Sequence, residues 1–573
     1  AIGNNSGSYN QSSSSVAIGN YAGTNSQGSI SVAIGNDAGR TGQQYSCVAI
    51  GNSAGNYNQS YLCVAVGNQA GQTGQREYSV AIGDNTGTYL QREYSVAIGN
   101  SAGNYNQQDN CIAIGYQAGN TGQQTSSVAI GRDAGNYFQG VNAVAIGQRA
   151  GYTGQNTSAI SIGYFAGNYL QNEYAVAIGS SAGTTGQSES CVAIGQNSGE
   201  IQQNRNAIAI GRYAGNNNQG SNAVAIGLIS GYIDQGMNAV AIGISAGYTS
   251  QSQGSVAIGV NAGQTAQGLF SVSIGNGAGG SNQLASAVSI GVGAGNKNQG
   301  SNSIAIGADC ASDFQGDNAI SLGQNAGRFS QSSNAVAIGT SAGYSNQSSN
   351  AVAIGTNAGY TGQSSNAVAI GTSAGYSSQG NYSIAIGCSA GLSNQVSNSI
   401  VLNASGATVN GTSAGFYVAP VRNFSNGALD PLCYNPATNE IYADASKTFI
   451  IQHPKEEDRY LVHGCLEGPE VGIYYRGKGT ITNDSDITIE LPDYVKYIGT
   501  NFSIQITKIF ENKQSFGKIY ETTEIVDGKF TVYGANGSFY WFVQAERATL
   551  EVEPKKEDYN LNGDGPYTYI THK

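Results

Sequence analysis

A glutamine stands at every sixteenth position from Gln11 to Gln395, twenty-five times in succession without insertion or deletion. Gln11, Gln27, Gln43, Gln59 and Gln75 open the series; Gln347, Gln363 and Gln379 stand near its close. A fixed period of this kind means a stack of like units, each burying its surface against its neighbours. The consensus unit is S-N-A-V-A-I-G-x-x-A-G-x-x-x-Q-x, as at Asn334 to Gly339 and again at Asn350 to Gly355. Val-Ala-Ile alternates large and small, the period-two pattern of a strand, which excludes a helix. Glycine follows the Ile, as at Gly19, Gly35, Gly51, Gly339 and Gly355, and a second follows the next Ala in nearly every unit, Ala311 being an exception. Glycine at both places marks corners, where positive φ or close backbone approach is needed. Sixteen residues with two corners make one coil of an all-β, parallel β-solenoid, with equivalent residues about 4.8 Å apart along the axis. Twenty-five coils span on the order of 120 Å.

The expected interior of a coil is its Val, its Ile and one or two Ala. At about 25 cal/mol per Å² this barely offsets the conformational entropy of sixteen residues, at roughly 1 to 2 kcal/mol each. Association of several solenoids through outward-facing small residues is therefore expected, with a homotrimer favoured. The glutamine column is expected to form a ladder of stacked amides, the alternative being a ligand-binding stripe. Asn222, Asn238 and Asn334 mark a second, partial amide column before the strand. The position two before Gln carries Tyr57, Thr73, Tyr89, then Tyr105, Thr121, Tyr137, Thr153, Tyr169 and Thr185. Large beside small suggests surface packing, contacts between chains included.

Composition narrows the function. The chain is 39% apolar and only 10% charged, which is not the signature of disorder. A net charge of -11, with no Lys/Arg cluster in the repeats, argues against nucleic acid as a partner. No apolar run approaches the roughly 20 residues of a membrane span, so no membrane insertion is expected. The chain opens at Ala1-Ile2-Gly3, inside a repeat, and a longer parent chain is expected. Cys47, Cys63, Cys111 and Cys191 all precede the first strand residue and are expected to be free, half-buried thiols, a Cys47–Cys63 disulfide being the alternative. Acidic residues of the repeats, such as Asp37, Glu77 and Asp234, read as scattered and forming no column, which argues against a polysaccharide-cleaving spike. Thr340, Thr356 and Thr372 make too short a threonine row for ice binding.

The motif N-x-V-A-I-G, followed by a small-residue segment, resembles the head repeat of YadA-type trimeric autotransporter adhesins over residues 1 to about 402. The resemblance implies a left-handed parallel β-roll in a trimer. The adhesin unit is shorter, so a longer loop is implied here. The repeat fails at Asn403. Beyond it, Gly415-Phe416-Tyr417-Val418-Ala419-Pro420, then Leu432-Cys433-Tyr434-Asn435-Pro436 and Glu440-Ile441, resemble the neck of phage and large DNA virus fibre proteins.

From about Lys447 charge rises and glycine thins. Alternating runs such as Phe502 to Ile506 and Phe539 to Val543, with Asp527-Gly528 and Asn536-Gly537 as hairpin turns, predict an antiparallel β-sandwich. The division is thus a shaft over 1–402, a neck over 403–446 and a C-terminal tip, cap or trimerisation domain over 447–573. The runs Lys447 to Pro454 and Tyr460 to Gly477 resemble a domain at the ends of viral and phage surface proteins. His453, His463, Cys465, Glu467 and Glu470 form one polar cluster within them, open to readings as a Cys/His nucleophile, a metal site or an autoproteolytic centre. The Cys/His pair lacks a third orienting group and the ligand spacing is incomplete. Structural hydrogen bonding is expected there, and no catalytic, metal or cofactor site is assigned. The expected function is a non-enzymatic fibre on a virus particle, attaching to a host-surface glycan or protein; a cellular adhesin head is the alternative.

Overall fold

Backbone pairing follows the sixteen-residue period. The computed structural model describes residues 1–421, 432–443, 448–452, 460–464, 472–492, 495–513, 516–546, 559–562 and 569–572. Three-residue strands recur from Val16–Ile18 to Ile384–Ile386 and continue as Ser399–Asn403 and Gly415–Ala419. Each pairs in parallel and in register with the next, Val16 with Val32, Ala17 with Ala33 and Ile18 with Ile34. A second parallel sheet runs through strands such as Tyr105–Gln107 and Thr121–Gln123. Here two residues per rung pair, as Tyr9 with Asn25 and Gln11 with Gln27. The residue between them, for example Leu170 at φ 54, is left-handed and drops out of the ladder. The unit Ala1–Pro420 is thus a parallel β-solenoid of sixteen-residue turns. It runs one rung past residue 402, because Ser399–Asn403 templates Gly415–Ala419 although the sequence motif has lapsed.

The two corner glycines answer two different constraints. Gly19 has φ 129, and a Cβ there would lie 2.3 Å from the carbonyl oxygen of Gly35, so backbone stacks directly on backbone. Gly23 has φ 57, and a Cβ would meet Gln27 Oε1 at 2.7 Å. Ala311 occupies that second corner at φ 45.

The interior differs from expectation. Val and Ile face outward: Ile18, Ile50, Ile82, Ile146 and Ile306 remain 36–38% exposed, while the Ala between them is fully buried. The core is built from the strand Ala, the corner Ala, the Ser, Cys or Ala before the strand, and the glutamine, as at Ala49, Ala54, Cys47 and Gln59. The glutamine is the reason. Gln43 Nε2 reaches across the coil to donate to Val32 O at 3.0 Å and donates its second hydrogen to Gln59 Oε1 at 3.0 Å. A side chain that spans the gap between the sheets leaves room opposite for nothing larger than Ala. Where Ser161 replaces that Ala, its hydroxyl donates to Gln171 Oε1 at 2.6 Å.

Each coil also holds ordinary residues at positive φ. One such position precedes the small residue before the strand, and Asn222, Asn238 and Asn334 adopt φ 57–58 there. Asn tolerates this conformation; Ile30, which shares the position at φ 59, carries a β-branched side chain against it.

In the unit Val421–Lys573, strands Gly472–Ile481 and Thr500–Lys508 flank Gly537–Glu546 in one antiparallel sheet. Asp486–Glu490 and Tyr520–Thr522 flank Lys529–Gly534 in a second. Ile489, Phe530 and Val532 from the second and Ile481, Phe539 and Val543 from the first share one buried cluster. Asp527-Gly528 is a two-residue hairpin with φ 52 and 74, closed by paired Val526 and Lys529 hydrogen bonds at 3.0 Å. Asn536-Gly537 instead carries the chain from one sheet to the other.

Two outcomes test this architecture. Gln203→Leu would leave Val192 O, Gln187 Nε2 and Gln219 Oε1 each short of a buried partner. It is expected to cost about 2–5 kcal/mol, read as lost amide-exchange protection in the adjoining rungs, whereas exposed Gln148→Leu changes little. Ile30→Asn is expected to raise protection around Val16–Ile18 and Val32–Ile34 by about 1 kcal/mol; a fall would contradict the strain assignment.

Candidate docking surfaces

A ligand stripe needs accessible side chains, and the glutamine column has none to offer. From Gln27 to Gln395 each is at most 2% exposed. Their amide chain runs unbroken from the Gln43–Gln59 bond at 3.0 Å to the Gln379–Gln395 bond at 3.2 Å. Each amide also clamps a strand carbonyl, as Gln347 does Val336 O at 2.8 Å and Gln363 does Val352 O at 2.8 Å. The column and the corner glycines Gly35, Gly51, Gly339 and Gly355 are internal scaffolding.

What the solenoid does present are columns. The Val and Ile columns form an apolar strip along the whole unit. Tyrosines in register stack face to face, Tyr344 on Tyr360 at 4.7 Å and Tyr360 on Tyr376 at 4.9 Å, the rung spacing itself. The tyrosines of the Tyr/Thr alternation are exposed, while Thr73 and Thr153 are half-buried, and Tyr137 and Tyr169 close edge-on against Tyr152 of the same chain at 5.4 and 6.4 Å. The predicted Asn column is real between Asn222 and Asn238, 3.1 Å apart.

Sequence reasoning missed an exposed amide ladder after the first corner, where Asn20, Asn36, Asn52 and Asn68 are linked at 3.0–3.1 Å and Asn68 meets Asp84 at 2.7 Å. It also missed that acidic residues do form columns. Glu77, Glu93 and Asp109 share one position in three successive rungs, and Glu173 and Glu189 share it farther on, followed by Arg205, which pairs with Glu189 at 3.2 Å. Counting positions modulo sixteen finds both. Carboxylates stacked along one edge do not oppose each other across a sugar, so they supply no glycosidase pair.

The column cysteines are completely buried rather than half-buried, and Cys47 and Cys63 are both free. Their thiols donate to backbone carbonyls of the next rung, Cys111 to Gln124 O at 2.8 Å and Cys191 to Asn204 O at 2.7 Å. Burial pushes the Cys191 thiol up to about 11 and that of Cys310 to about 12. Cys388 is exposed.

In the second unit, a cavity of about 540 Å³ opens on the sheet centred on Gly537–Glu546. Arg476 and Lys478 alternate outward on one edge strand, beside Tyr540 and Phe542 of the central strand and Thr507 of the other edge. Tyr474 stacks on Phe542 at 5.5 Å. Ser538 N–H donates to Glu511 at 3.1 Å and holds its carboxyl below the usual range, with Lys518 and Lys478 adding to the effect. Lys478 therefore sits in the field of an acid, while no acidic partner of Arg476 occurs among the described residues. Nothing in the sequence singled out this face, since its residues are separated by up to 66 positions and meet only through strand pairing.

Of the polar cluster expected in this unit, His453, Cys465, Glu467 and Glu470 lie outside the described residues. His463 lies on the strand Tyr460–Gly464, paired with Phe449. No group of three or more potential metal ligands occurs among the described residues. Comparison of the chain with family models, with curated proteins and with solved structures found no match.

Raised thiol pKa values mean less thiolate at a given pH. At pH 8, iodoacetamide followed by peptide mass spectrometry is expected to label Cys388 at least about a hundredfold faster than Cys191 or Cys310; comparable rates would contradict their burial.

Proposed function

We propose that this chain is a structural fibre protein that works as a homotrimer on the surface of a virus particle and attaches it to a host or neighbouring surface. The observation that carries the reading is the outward Val and Ile strip, aliphatic on every rung and left bare by a single chain. Monomeric soluble proteins rarely expose contiguous apolar patches beyond a few hundred Å². About a third of two aliphatic side chains on each of some twenty-five rungs exceeds the roughly 800 Å² per partner of a standard interface. A second and third copy, with the same strip at the same rung spacing, are the natural cover, since identical faces meeting about an axis close without leaving an edge. The contact is thus through large residues, not the small ones expected from sequence.

The number three and the viral setting rest on the likeness of the repeat to YadA-type adhesin heads and of the neck residues to viral fibre proteins. We read the two sheets of the C-terminal unit as a β-sandwich that caps the shaft and sets chain register. Stiffness from the solenoid and attachment through its surface or tip need no catalysis, and no enzymatic activity is proposed. The ligand class is a host-surface glycan or protein.

The test is mass and shape in solution. Sedimentation velocity with small-angle scattering is expected to give a trimeric rod for the natural chain and a monomer for Ile210→Lys/Ile226→Lys, with circular dichroism unchanged because both side chains point outward. A natural chain that stays monomeric at micromolar concentration would sink the assembly.

A further inference from the structure

We propose that the outward face of the sheet formed by Gly472–Ile481, Gly537–Glu546 and Thr500–Lys508 is a binding site for an acidic saccharide. The cavity there, about 540 Å³, falls within the roughly 300–1,000 Å³ of small-ligand sites. Three chemistries converge on it from three strands. Arg476 offers a planar guanidinium suited to a carboxylate or sulfate in bidentate contact. Tyr540 is 55% exposed and Phe542, braced by Tyr474, is half-buried, so flat aromatic surface is available for the apolar face of a pyranose ring. Strand register sets Gln505 opposite Phe542 and Thr507 opposite Tyr540, which places an amide and a hydroxyl where sugar hydroxyls would lie.

Charge decides among anions. The chain is acidic overall, so a basic, aromatic face is a local exception. It holds two cations, Arg476 and Lys478, side by side; its one carboxylate, Glu546, stands at the end of the central strand and accepts from Asn501 at 2.9 Å, and Ser503, Gln505, Thr507 and Gln544 are neutral. One anionic group is matched, whereas a single-stranded nucleic acid calls for a cationic groove that follows its phosphates. The site rests on the attachment reading and narrows its ligand to an acidic glycan.

Trp541, the one tryptophan of the chain, turns its ring inward against Phe530 at 5.8 Å, so binding on the outward face is followed by titration calorimetry. The full chain would be titrated with sialyllactose, a heparin disaccharide, lactose and a short oligothymidylate. Saturable binding heat with sialyllactose or the heparin disaccharide, and none with lactose, is expected. Which of the two binds tells carboxylate from sulfate. Arg476→Gln is expected to weaken binding about tenfold, Thr507→Val to weaken it less, and exposed Lys513→Gln to leave it unchanged. Lactose binding as well as the acidic sugars, neither acidic sugar binding, equal affinity in both site variants and the natural chain, or tighter binding of oligothymidylate would each overturn the site. A trimeric rod that binds no acidic sugar would refute this inference alone, and a monomer that binds one would refute only the fibre.

Discussion

The structure depends on one side-chain amide per rung. A glutamine Nε2 has two hydrogens, and here one closes the coil onto its own first strand while the other passes to the next rung. The first bond sets the width between the two sheets; the second sets their spacing along the axis together with the backbone ladder. Because both donors are used, the buried amide carries no desolvation penalty from an unmet hydrogen, and a residue that is polar by type becomes the largest component of the core. This arrangement explains why the core needs almost no large aliphatic side chains. It explains too why those the sequence does contain are free to face outward.

The period, the strands and both corners were legible in the sequence, since strand alternation and glycine requirements are local. The orientation of the Val-Ala-Ile strand was not. Alternation tells which residues share a face and leaves open which face is inside; the usual assumption that large aliphatics go inward failed because Gln59 and its equivalents already fill the gap. The last rung, Gly415–Ala419, was hidden because stacking on Ser399–Asn403 needs only free backbone, whereas the motif had lapsed. In the C-terminal unit Asp527-Gly528 was legible as a tight turn. Asn536-Gly537 has the same signature but joins two sheets, a distinction made by tertiary packing. The basic, aromatic face was invisible for a similar reason: Arg476 and Phe542 become neighbours only through register.

The surface of such a solenoid is written in columns, and each column behaves as a collective object. A single Tyr, Asn or Glu on a loop would be unremarked, but the same residue repeated at the rung spacing becomes a stack, a ladder or a line of charge. Tyr344, Tyr360 and Tyr376 make a short aromatic stack, Asn20 to Asn68 a hydrogen-bonded rail, and Glu77 to Asp109 a row of negative charge. Changing side chains rung by rung thus alters a patch some rungs long without touching the amide spine beneath.

The amide spine has a direction. Every Nε2 from Gln43 to Gln379 donates to the glutamine of the following rung, while Gln27 Oε1 and Gln43 Oε1 have no partner. Aligned dipoles of this kind reinforce one another as peptide dipoles do in a helix, here with the positive pole toward Gln395. The solenoid is consequently vectorial along its length, with unlike electrostatic ends, and copies bundled side by side in the same direction would have to offset the mutual repulsion of their spines through the faces they bury.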